Sequence, residues 1–433
     1  MSGLAEILIK RGVKVSGSDM NHSSILDNLI ADGAIVNYGH SAENITNPDL
    51  VVYTAAVRDD NPELVRAREM GIKTIDRAEM LGSIMKEFTK AIGVAGTHGK
   101  TTTTSMLSYI LVENDTDPTI TVGGELDIIG GNIRTGKSEY FLTEACEYTR
   151  SFLKFFPKFA IILNVDEDHL DYFKNIDDII DAFSDFAALV PPDGTVVANA
   201  DDPECLKAVE NAVANVVTVG FSADADYRAE NVTYHDDGTA EFDIVDKNGE
   251  VHHESLSVVG AHNVTNALAA YACADALGLD MDITISALSH FGGTKRRYEH
   301  KGGINGITVI DDYAHHPTEI TATLTSAKKL KANDVWCVFQ PHTYTRTKAL
   351  LHDFAKALSY ADKVIVADIY AAREKDTGLV SSKDLTDLVD GAIYMKEFSD
   401  IAKYVLENAS KDDIVITMGA GDIYKVGEMM LNM

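Results

Sequence analysis

The sequence predicts an α/β protein of three domains, because the chain is too long for one hydrophobic core and repeats a strand–helix alternation along its length. It has 433 residues, whereas single cores rarely grow beyond about 250–300 residues. Short β-branched runs alternate with helical stretches, a pattern typical of parallel sheets covered by helices. We place the domains at residues 1–89, 90–295 and 296–433.

The first domain is predicted from three β-branched runs and the helical stretches between them. Strands are expected at KVSGSD, AIVNYGH and LVVYTAAV, and helices over residues 23–31 and 62–70. The chain opens on a helix over residues 1–10, since Leu4, Ile7 and Leu8 recur at helical spacing. Because this helix starts abruptly, we expect the domain to lack its first strand.

The second and third domains follow the same alternation, with one interruption. A strand over residues 91–95 runs through a glycine-rich turn into a helix over residues 100–112, and strands follow at YFLTEACEY, FAIILNVDE and GTVVANAD. Residues 227–259 instead alternate around DDG and KNGE turns, which predicts an added antiparallel meander. A helix over residues 262–277 closes the domain. Strands of the third domain are expected at ITVIDDY, VWCVFQP, KVIVADI, GAIYM and DIVITMGAG.

Composition narrows the possible classes of function. The chain has 38 basic and 67 acidic residues and a net charge of -29, which repels nucleic-acid backbones. Its four cysteines are widely spaced, which argues against a disulfide framework or a zinc site. No apolar run approaches the roughly 20 residues that cross a bilayer. We expect a cytoplasmic monomer or weak homodimer that binds neither nucleic acid nor membrane.

The clearest chemical motif is a phosphate-binding loop between the first strand of the second domain and the helix after it. Its residues are Gly96, Thr97, His98, Gly99, Lys100, Thr101 and Thr102. Backbone N–H groups at a helix start bind phosphate, a lysine neutralises the β and γ oxygens, and a threonine hydroxyl binds Mg²⁺. Val94 replaces the first glycine of the general pattern, so a glycine turn in an ordinary crossover is the alternative. We predict that the loop binds ATP or GTP.

Two acidic segments, TEACEY and NVDEDHLD, follow predicted neighbouring strands and contain candidate metal ligands. Glu144, at a strand end, is expected to share a Mg²⁺ with Thr101, because magnesium prefers oxygen ligands. His169 is a candidate ligand or orienting group for a second ion. The alternatives are a solvated glutamate and a structural histidine.

Other candidate binding residues lie at a helix start, in a basic run and after strands. His262, Asn263 and Asn266 begin a predicted helix, where amides suit an adenine edge or cap the helix. The KRR run at residues 295–297 suits phosphate or is a solvated linker face. DDYAHHP, QPHTYTR and the weaker candidate GAGD follow predicted strands, where open α/β sheets bind ligands.

Taken together, these motifs resemble the Mur ligase family over essentially the whole chain. The segments that carry the resemblance are GTHGKTTT, TEACEY, NVDEDHLDYF, GAHNVTNALAA, KRR, DDYAHHPTEI, FQPHTYTRT and MGAGDIY. They are most similar to the alanine-adding members. The resemblance implies a Rossmann-like N-terminal domain for the UDP-sugar, a central P-loop ATPase domain with the meander, and a Rossmann-like C-terminal domain for the amino acid.

The implied reaction uses ATP and Mg²⁺ to join L-alanine to UDP-N-acetylmuramate through an acyl phosphate, in peptidoglycan precursor synthesis. Lys100 and Thr101 would then hold phosphate and metal, and Glu144 and His169 would serve the metal sites. The resemblance also implies contacts to adenine from His262, Asn263 and Asn266, and contacts to the ATP phosphates and ribose from Arg297 and Asp312. It implies that the acyl phosphate and alanine are bound by His315, His342 and Arg346, and that the UDP portion is bound by Asp19, His40 and Thr54.

Two departures from the family pattern affect these expectations. The family's opening strand and GxGGxGMSGLA loop are represented here only by MSGLA, and Thr343 stands where many members carry arginine. The alternatives are a peptide-recycling or later amino-acid-adding ligase of the same family, or a catalytically impaired regulator that binds nucleotide sugars.

Overall fold

The structure is a computed structural model that describes residues 1–54, 57–169, 172–372 and 374–433. Ala55 and Ala56 of the predicted strand LVVYTAAV lie outside these residues, as do Leu170 and Asp171 of the NVDEDHLDYF motif. The described residues form two compact units. The first unit is Met1–Arg228 with Ala269–Thr284, and the second is Ala229–Leu268 with Ile285–Met433.

The N-terminal part of the first unit has the alternation predicted from its sequence. Its elements are α1 (Ser2–Lys10), β1 (Ser16–Asp19), α2 (Ser24–Ala31), β2 (Ile35–Tyr38), β3 (Leu50–Tyr53), α3 (Pro62–Glu69), β4 (Lys73–Asp76) and α4 (Arg77–Met85). β1 pairs in parallel with β2, and β3 pairs in parallel with β4, as two separate sheets. Capping explains the start of α4, because Asp76 and Glu79 form a reciprocal capping box.

The rest of the first unit is built on a large, mostly parallel sheet. Its elements begin with β5 (Lys90–Ala95), α5 (Lys100–Glu113), β6 (Thr119–Leu126), β7 (Gly131–Arg134), β8 (Tyr140–Glu144), β9 (Phe159–Ile162), α6 (Ile176–Ala188), β10 (Thr195–Asn199), α7 (Pro203–Val209), β11 (Asn215–Gly220) and β12 (Tyr227–Tyr234). The strand order is β12-β11-β10-β9-β5-β8-β6-β7, and only the β6–β7 pair is antiparallel. The carboxyl ends of β8 and β9 therefore flank that of β5.

Buried apolar side chains explain why these strands read as continuous hydrophobic runs. Along β5 every residue after Lys90 is buried, as expected for a parallel strand with both faces covered. One core cluster joins Leu81 and Met85 of α4 with Phe141 of β8 and Phe183 and Phe186 of α6. The phosphate loop thus follows a strand that is fixed on both sides.

β12 continues into the second unit, where the predicted KNGE turn connects an antiparallel hairpin. The next elements are β13 (Ala240–Val245) and β14 (Val251–Leu256). They are followed by α8 (His262–Leu277) and α9 (Met281–His290), of which the stretch Ala269–Thr284 belongs to the first unit. Gly238 and Gly249, in the two predicted turns, both have a φ of 83°, a conformation that glycine adopts without strain.

The C-terminal part of the second unit is a sheet covered by helices on both faces. Its elements are β15 (Glu299–Ile304), β16 (Ile307–Asp312), α10 (Pro317–Ala327), β17 (Val335–Phe339), α11 (Tyr344–Ala349), α12 (Leu351–Leu358), β18 (Lys363–Val366), α13 (Ser382–Thr386), β19 (Ile393–Tyr394), α14 (Phe398–Asn408), β20 (Ile414–Met418) and α15 (Tyr424–Leu431). The order is β15-β16-β20-β17-β18-β19, with β15 antiparallel at the edge. Cys337 and Phe339 pack in one core cluster and Trp336 and Val338 in another, which is the alternation of a strand buried on both faces.

All four cysteines are free thiols. Within the part of the chain that the structure describes, no helix combines the length and the apolar character needed to span a bilayer.

Candidate active site

The predicted phosphate loop joins β5 to α5, and two of its positions require glycine. Gly99 precedes α5 with a φ of 83°. Gly96 has a φ of 142°, and a Cβ there would lie 2.9 Å from the Cβ of Leu163. Glycine therefore permits both the backbone conformation and the close approach of the residues that follow β9. The helix start leaves backbone N–H groups directed toward the loop, as an anion site needs.

Asn164, the second residue after β9, holds the phosphate loop in place. Its Oδ1 accepts from the His98 N–H at 2.7 Å, and its Nδ2 donates to the His98 carbonyl at 3.0 Å. The Thr97 hydroxyl accepts from the Asp166 N–H at 2.9 Å. Asn164 is the first residue of the predicted NVDEDH segment, but its contact with the phosphate loop was not predicted. The amide pairing fixes the loop before α5 begins.

Lys100 is held by oxygens of the loop and by a carboxylate that sequence analysis did not assign. Its Nζ donates to the carbonyls of Gly96 and Thr97 at 2.5 and 3.0 Å. Glu147, which is 2% exposed, places its two carboxylate oxygens 3.2 and 2.9 Å from the same Nζ. Burial is the largest single effect and opposes the charged ammonium, but the charge and hydrogen bonds of Glu147, together with the nearby Cys146 and Glu144, outweigh it, and the pKa of Lys100 is raised. Lys100 is therefore a cation at neutral pH.

The groups beside the loop suit a divalent cation with oxygen ligands. Glu144 ends β8, and its Oε1 accepts from the Gly123 N–H at 2.6 Å. A Cβ on Gly123 would lie 2.9 Å from that oxygen and 3.2 Å from the Thr101 hydroxyl, so both oxygens face one small space. Oxygen donors of this kind are those that Mg²⁺ prefers. His169 lies on the other side of β5, with its Nε2 3.6 Å from Glu147 Oε1.

The second unit brings three predicted residues together, which we call the histidine–arginine cluster: His315, His342 and Arg346. The rings of the two histidines lie 5.9 Å apart, edge to face. His315 also lies 3.4 Å from Glu319 Oε2. Burial lowers the pKa of His315 and the nearby Arg346 cation lowers it further, although Glu319 opposes both. His315 is thus a neutral imidazole beside a permanent cation.

Two residues that sequence analysis missed support this cluster. Tyr370 stacks on His342 with ring centroids 5.8 Å apart. Glu374 accepts from the N–H groups of Tyr344 and Thr345 at 2.6 and 3.0 Å, which satisfies the start of α11, the helix that carries Arg346. No motif spacing links these residues to QPHTYTR, because they reach it from the loop after β18.

The predicted adenine residues begin α8, as expected, but the two amides bond within the protein. Asn263 Nδ2 donates to the Val259 carbonyl and Asn266 Nδ2 donates to Asn263 Oδ1, both at 2.9 Å. Both side chains are buried, whereas His262 is exposed. Neither bond is the N-cap hydrogen bond that was the alternative to adenine binding, because the side-chain amide donates in both. Adenine binding by these residues stays a prediction.

The KRR run does not act as one cationic patch. Arg296 donates to Asp311 at 3.0 Å and to the carbonyls of Gly421 and Gly419 at 3.0 and 2.7 Å. Its guanidinium also lies between the rings of Tyr313 and Tyr424, 5.0 and 4.7 Å from their centroids. Arg296 therefore organises the GAGD turn, which the phosphate interpretation of this run did not predict.

Arg297 and Asp312 occupy different environments in the second unit. The Arg297 guanidinium lies 5.2 Å from the Tyr313 ring centroid. Asp312 is buried and accepts from the Ala314 N–H and the Thr323 hydroxyl at 2.8 and 2.9 Å. Burial raises the pKa of Asp312 to about 6, against the opposing effect of these hydrogen bonds and of Arg297.

The predicted UDP contacts lie at the carboxyl ends of the N-terminal strands. Asp19 ends β1, His40 follows β2, and Thr54 follows β3. His40 Nδ1 lies 2.9 Å from the Ser18 hydroxyl and 3.5 Å from Glu63 Oε2. Glu63, at the start of α3, was not anticipated from the sequence, and it ties His40 to this helix.

A lysine-bearing phosphate loop flanked by carboxylates at parallel strand ends defines a P-loop nucleotide-dependent enzyme. Family models identify which kind. The chain matches the "Mur ligase family, catalytic domain" over residues 1–89, the "Mur ligase middle domain" over 94–274 and the "Mur ligase, glutamate ligase domain" over 296–421. It therefore belongs to the Mur ligase family, and the predicted three-domain α/β fold is confirmed.

Curated relatives and solved structures agree with this assignment. UDP-N-acetylmuramate–L-alanine ligases of Caldanaerobacter subterraneus subsp. tengcongensis and Clostridium acetobutylicum are 52% and 51% identical, over 100% of this chain and 95% of each relative. The UDP-N-acetylmuramate-alanine ligase of Thermotoga maritima has a TM-score of 0.82 at 31% identity, over 100% of this chain and 96% of that one. A murein peptide ligase of Psychrobacter arcticus, with the same coverage, has a TM-score of 0.74 at 26% identity.

Proposed function

We propose that this chain joins L-alanine to the carboxylate of UDP-N-acetylmuramate and converts ATP to ADP and phosphate, in the synthesis of peptidoglycan precursors. The observation that carries the reaction type is the phosphate loop, with the cationic Lys100 among loop carbonyls beside Glu144. The choice of substrates rests on the full-length similarity to UDP-N-acetylmuramate–L-alanine ligases.

In the proposed reaction, the substrate carboxylate attacks the γ-phosphoryl group of ATP, which gives an acyl phosphate and ADP. The amine of L-alanine then attacks the acyl carbon, and phosphate leaves with the electrons of the broken C–O bond. Lys100 stabilises the charge on the transferring phosphoryl group. In the histidine–arginine cluster, Arg346 binds the alanine carboxylate, and His315 and His342 line the acyl-phosphate end.

The other site residues are proposed as ligands of the nucleotides and the metal. Thr101 and Glu144 would hold Mg²⁺, and His169 would serve a second ion, so that bound metal neutralises charge on the β and γ phosphates. His262, Asn263, Asn266, Arg297 and Asp312 are proposed to serve ATP, and Asp19, His40 and Thr54 the UDP portion. We propose a cytoplasmic monomer or weak homodimer that binds neither nucleic acid nor membrane, in keeping with the net charge of -29.

The direct test is to identify the product by mass spectrometry. The protein is incubated with ATP, Mg²⁺ and UDP-N-acetylmuramate, together with L-alanine, glycine, L-serine or an alanyl tripeptide in separate reactions. We expect UDP-N-acetylmuramoyl-L-alanine as the main product at equal substrate concentrations. Preferential ligation of the tripeptide would contradict the proposed substrate, and the absence of every ligated product would contradict the proposed reaction.

A further inference from the structure

Glu147 is a buried carboxylate whose contacts link the two sides of the phosphate loop. One oxygen lies 2.9 Å from Lys100 Nζ, and the other lies 3.2 Å from Lys100 Nζ and 3.6 Å from His169 Nε2. Its side chain is 3% exposed. A carboxylate desolvated to this degree is stable mainly through its charge partners. Lys100 and the nearby imidazole therefore offset the cost of burying the Glu147 charge.

The backbone that carries Glu147 is held independently of Lys100. Thr149 and Arg150 have φ values of 55° and 53°, which are unfavourable for residues with a Cβ. The Arg150 guanidinium donates to Asp178 at 2.8 Å and to Asp185 at 3.2 Å. This clamp on α6 offsets the strain, so the position of Glu147 is imposed on Lys100 by the fold.

Neighbouring aromatic rings hold the histidine side of the same arrangement. The Tyr148 ring lies 4.5 Å from the His169 ring, and Tyr172 lies 6.1 Å from Tyr148. His169 itself has a φ of 54°. One short segment thus places Glu147 against Lys100 and Tyr148 against His169. A change at either residue is expected to alter the orientation of the loop lysine and of the histidine together.

We propose that Glu147 is a positioning residue for phosphoryl transfer, a proposal that rests on the proposed function. Glu147 holds the side chains of Lys100 and His169 in fixed positions relative to each other, and it competes with nucleotide phosphate for Lys100. A phosphate oxygen that binds Lys100 has to replace or share this carboxylate. The competition costs nucleotide affinity, but it keeps the ammonium at a fixed position and favours release of ADP. Loss of the Glu147 charge should therefore strengthen nucleotide binding and slow turnover.

The test compares Glu147→Gln with the wild type, using ADP without added metal as the probe in isothermal titration calorimetry. We expect Glu147→Gln to bind ADP roughly tenfold more tightly, because a close negative charge is removed, while kcat falls at least about tenfold with little change in the KM for L-alanine. The matched control is Glu254→Gln, because Glu254 is another buried glutamate, on β14, whose carboxylate accepts from Ser255. The control should change neither value.

Unchanged or weaker ADP binding by a folded Glu147→Gln variant would overturn the proposal. If that variant does not fold, Glu147→Asp provides the same test, because a shorter side chain withdraws the carboxylate from Lys100 and should give an intermediate gain in affinity. The calorimetric result is independent of the amino-acid substrate, so it stands even if ligation of alanine fails. A wild-type protein that does not bind ADP would overturn both this proposal and the function on which it rests.

Discussion

The phosphate loop and the histidine–arginine cluster are built in different ways. The loop is one strand–turn–helix segment that is held by hydrogen bonds to residues after the neighbouring strand, including the one that the His98 N–H donates to Asn164 Oδ1 at 2.7 Å. In the cluster, separate loops contribute side chains that meet mainly through rings 5.8–5.9 Å apart. Backbone geometry therefore preorganises the first region, whereas side-chain packing forms the second. Substitutions should affect them differently.

The largest effect is expected for Lys100→Ala in the loop. Removal of the cation should lower ATP-dependent turnover by about a thousandfold or more, because positioned charge supplies much of phosphoryl-transfer catalysis. The fold should persist, as circular dichroism can check. The uncompensated Glu147 should cost about 3 kcal/mol of unfolding free energy, and the double variant Lys100→Ala/Glu147→Gln should recover the stability without the activity. Wild-type turnover in Lys100→Ala would remove the phosphate-loop assignment.

Arg346→Ala should have a smaller and more selective effect in the cluster. We expect the KM for L-alanine to rise roughly 30-fold while the KM for ATP stays within about twofold, since a guanidinium–carboxylate pair is lost. Lys348→Ala, on the same helix, is the matched control for a general loss of positive charge. Steady-state kinetics for each substrate would make the comparison. Equal rises in both KM values would contradict the proposed role.

Arg296→Lys should change stability more than substrate binding. Lysine cannot reproduce the fork that bonds Asp311, Gly419 and Gly421, so we expect a loss of about 2 kcal/mol in chemical denaturation. Arg297→Lys is the control for its neighbour, and it should leave stability nearly unchanged while weakening ATP binding. If Arg296→Lys and Arg297→Lys lost similar amounts of unfolding free energy, the interpretation of the KRR run as one cationic patch would be restored.

The smallest effect is expected from the buried Glu254 of the second unit, which has no ion pair like that of Glu147 among the residues that the structure describes. Burial raises its pKa from 4.5 to about 8, so its protonated form is favoured in the folded protein. The corresponding stability is fully present below about pH 4.5 and is lost progressively as the pH rises from there through about 8. Between pH 6 and 9, the unfolding free energy of the wild type should therefore fall by about 1–2 kcal/mol more than that of Glu254→Gln. Identical pH profiles of unfolding for both proteins would contradict this.

Sequence patterns predicted much of the fold and of the loop, because those signals are contiguous. The helix over residues 262–277 matches α8, and residues 91–95 fall within β5. The strands β6 and β15 escaped prediction, since the paired glycines in TITVGGEL and EHKGGI weaken their strand character.

Functional partners that come from distant parts of the chain could not be predicted in the same way. Glu147 and Asn164 lay inside recognised segments, but nothing in their spacing indicated the contacts that they make with the loop. Glu374 and Tyr370 reach the histidine–arginine cluster only through the pairing of β17 with β18. Such partnerships depend on strand order, which a single sequence does not contain.

The most direct test of the central claim follows oxygen from the substrate carboxylate into phosphate. UDP-N-acetylmuramate labelled with ¹⁸O in its carboxylate is incubated with ATP, Mg²⁺ and L-alanine, and the released phosphate is examined by mass spectrometry. An acyl-phosphate ligase transfers one labelled oxygen to each phosphate, and we expect this only when alanine is present. Released phosphate that carries no label would contradict the account. Release of phosphate when UDP-N-acetylmuramate or L-alanine is omitted would also contradict it.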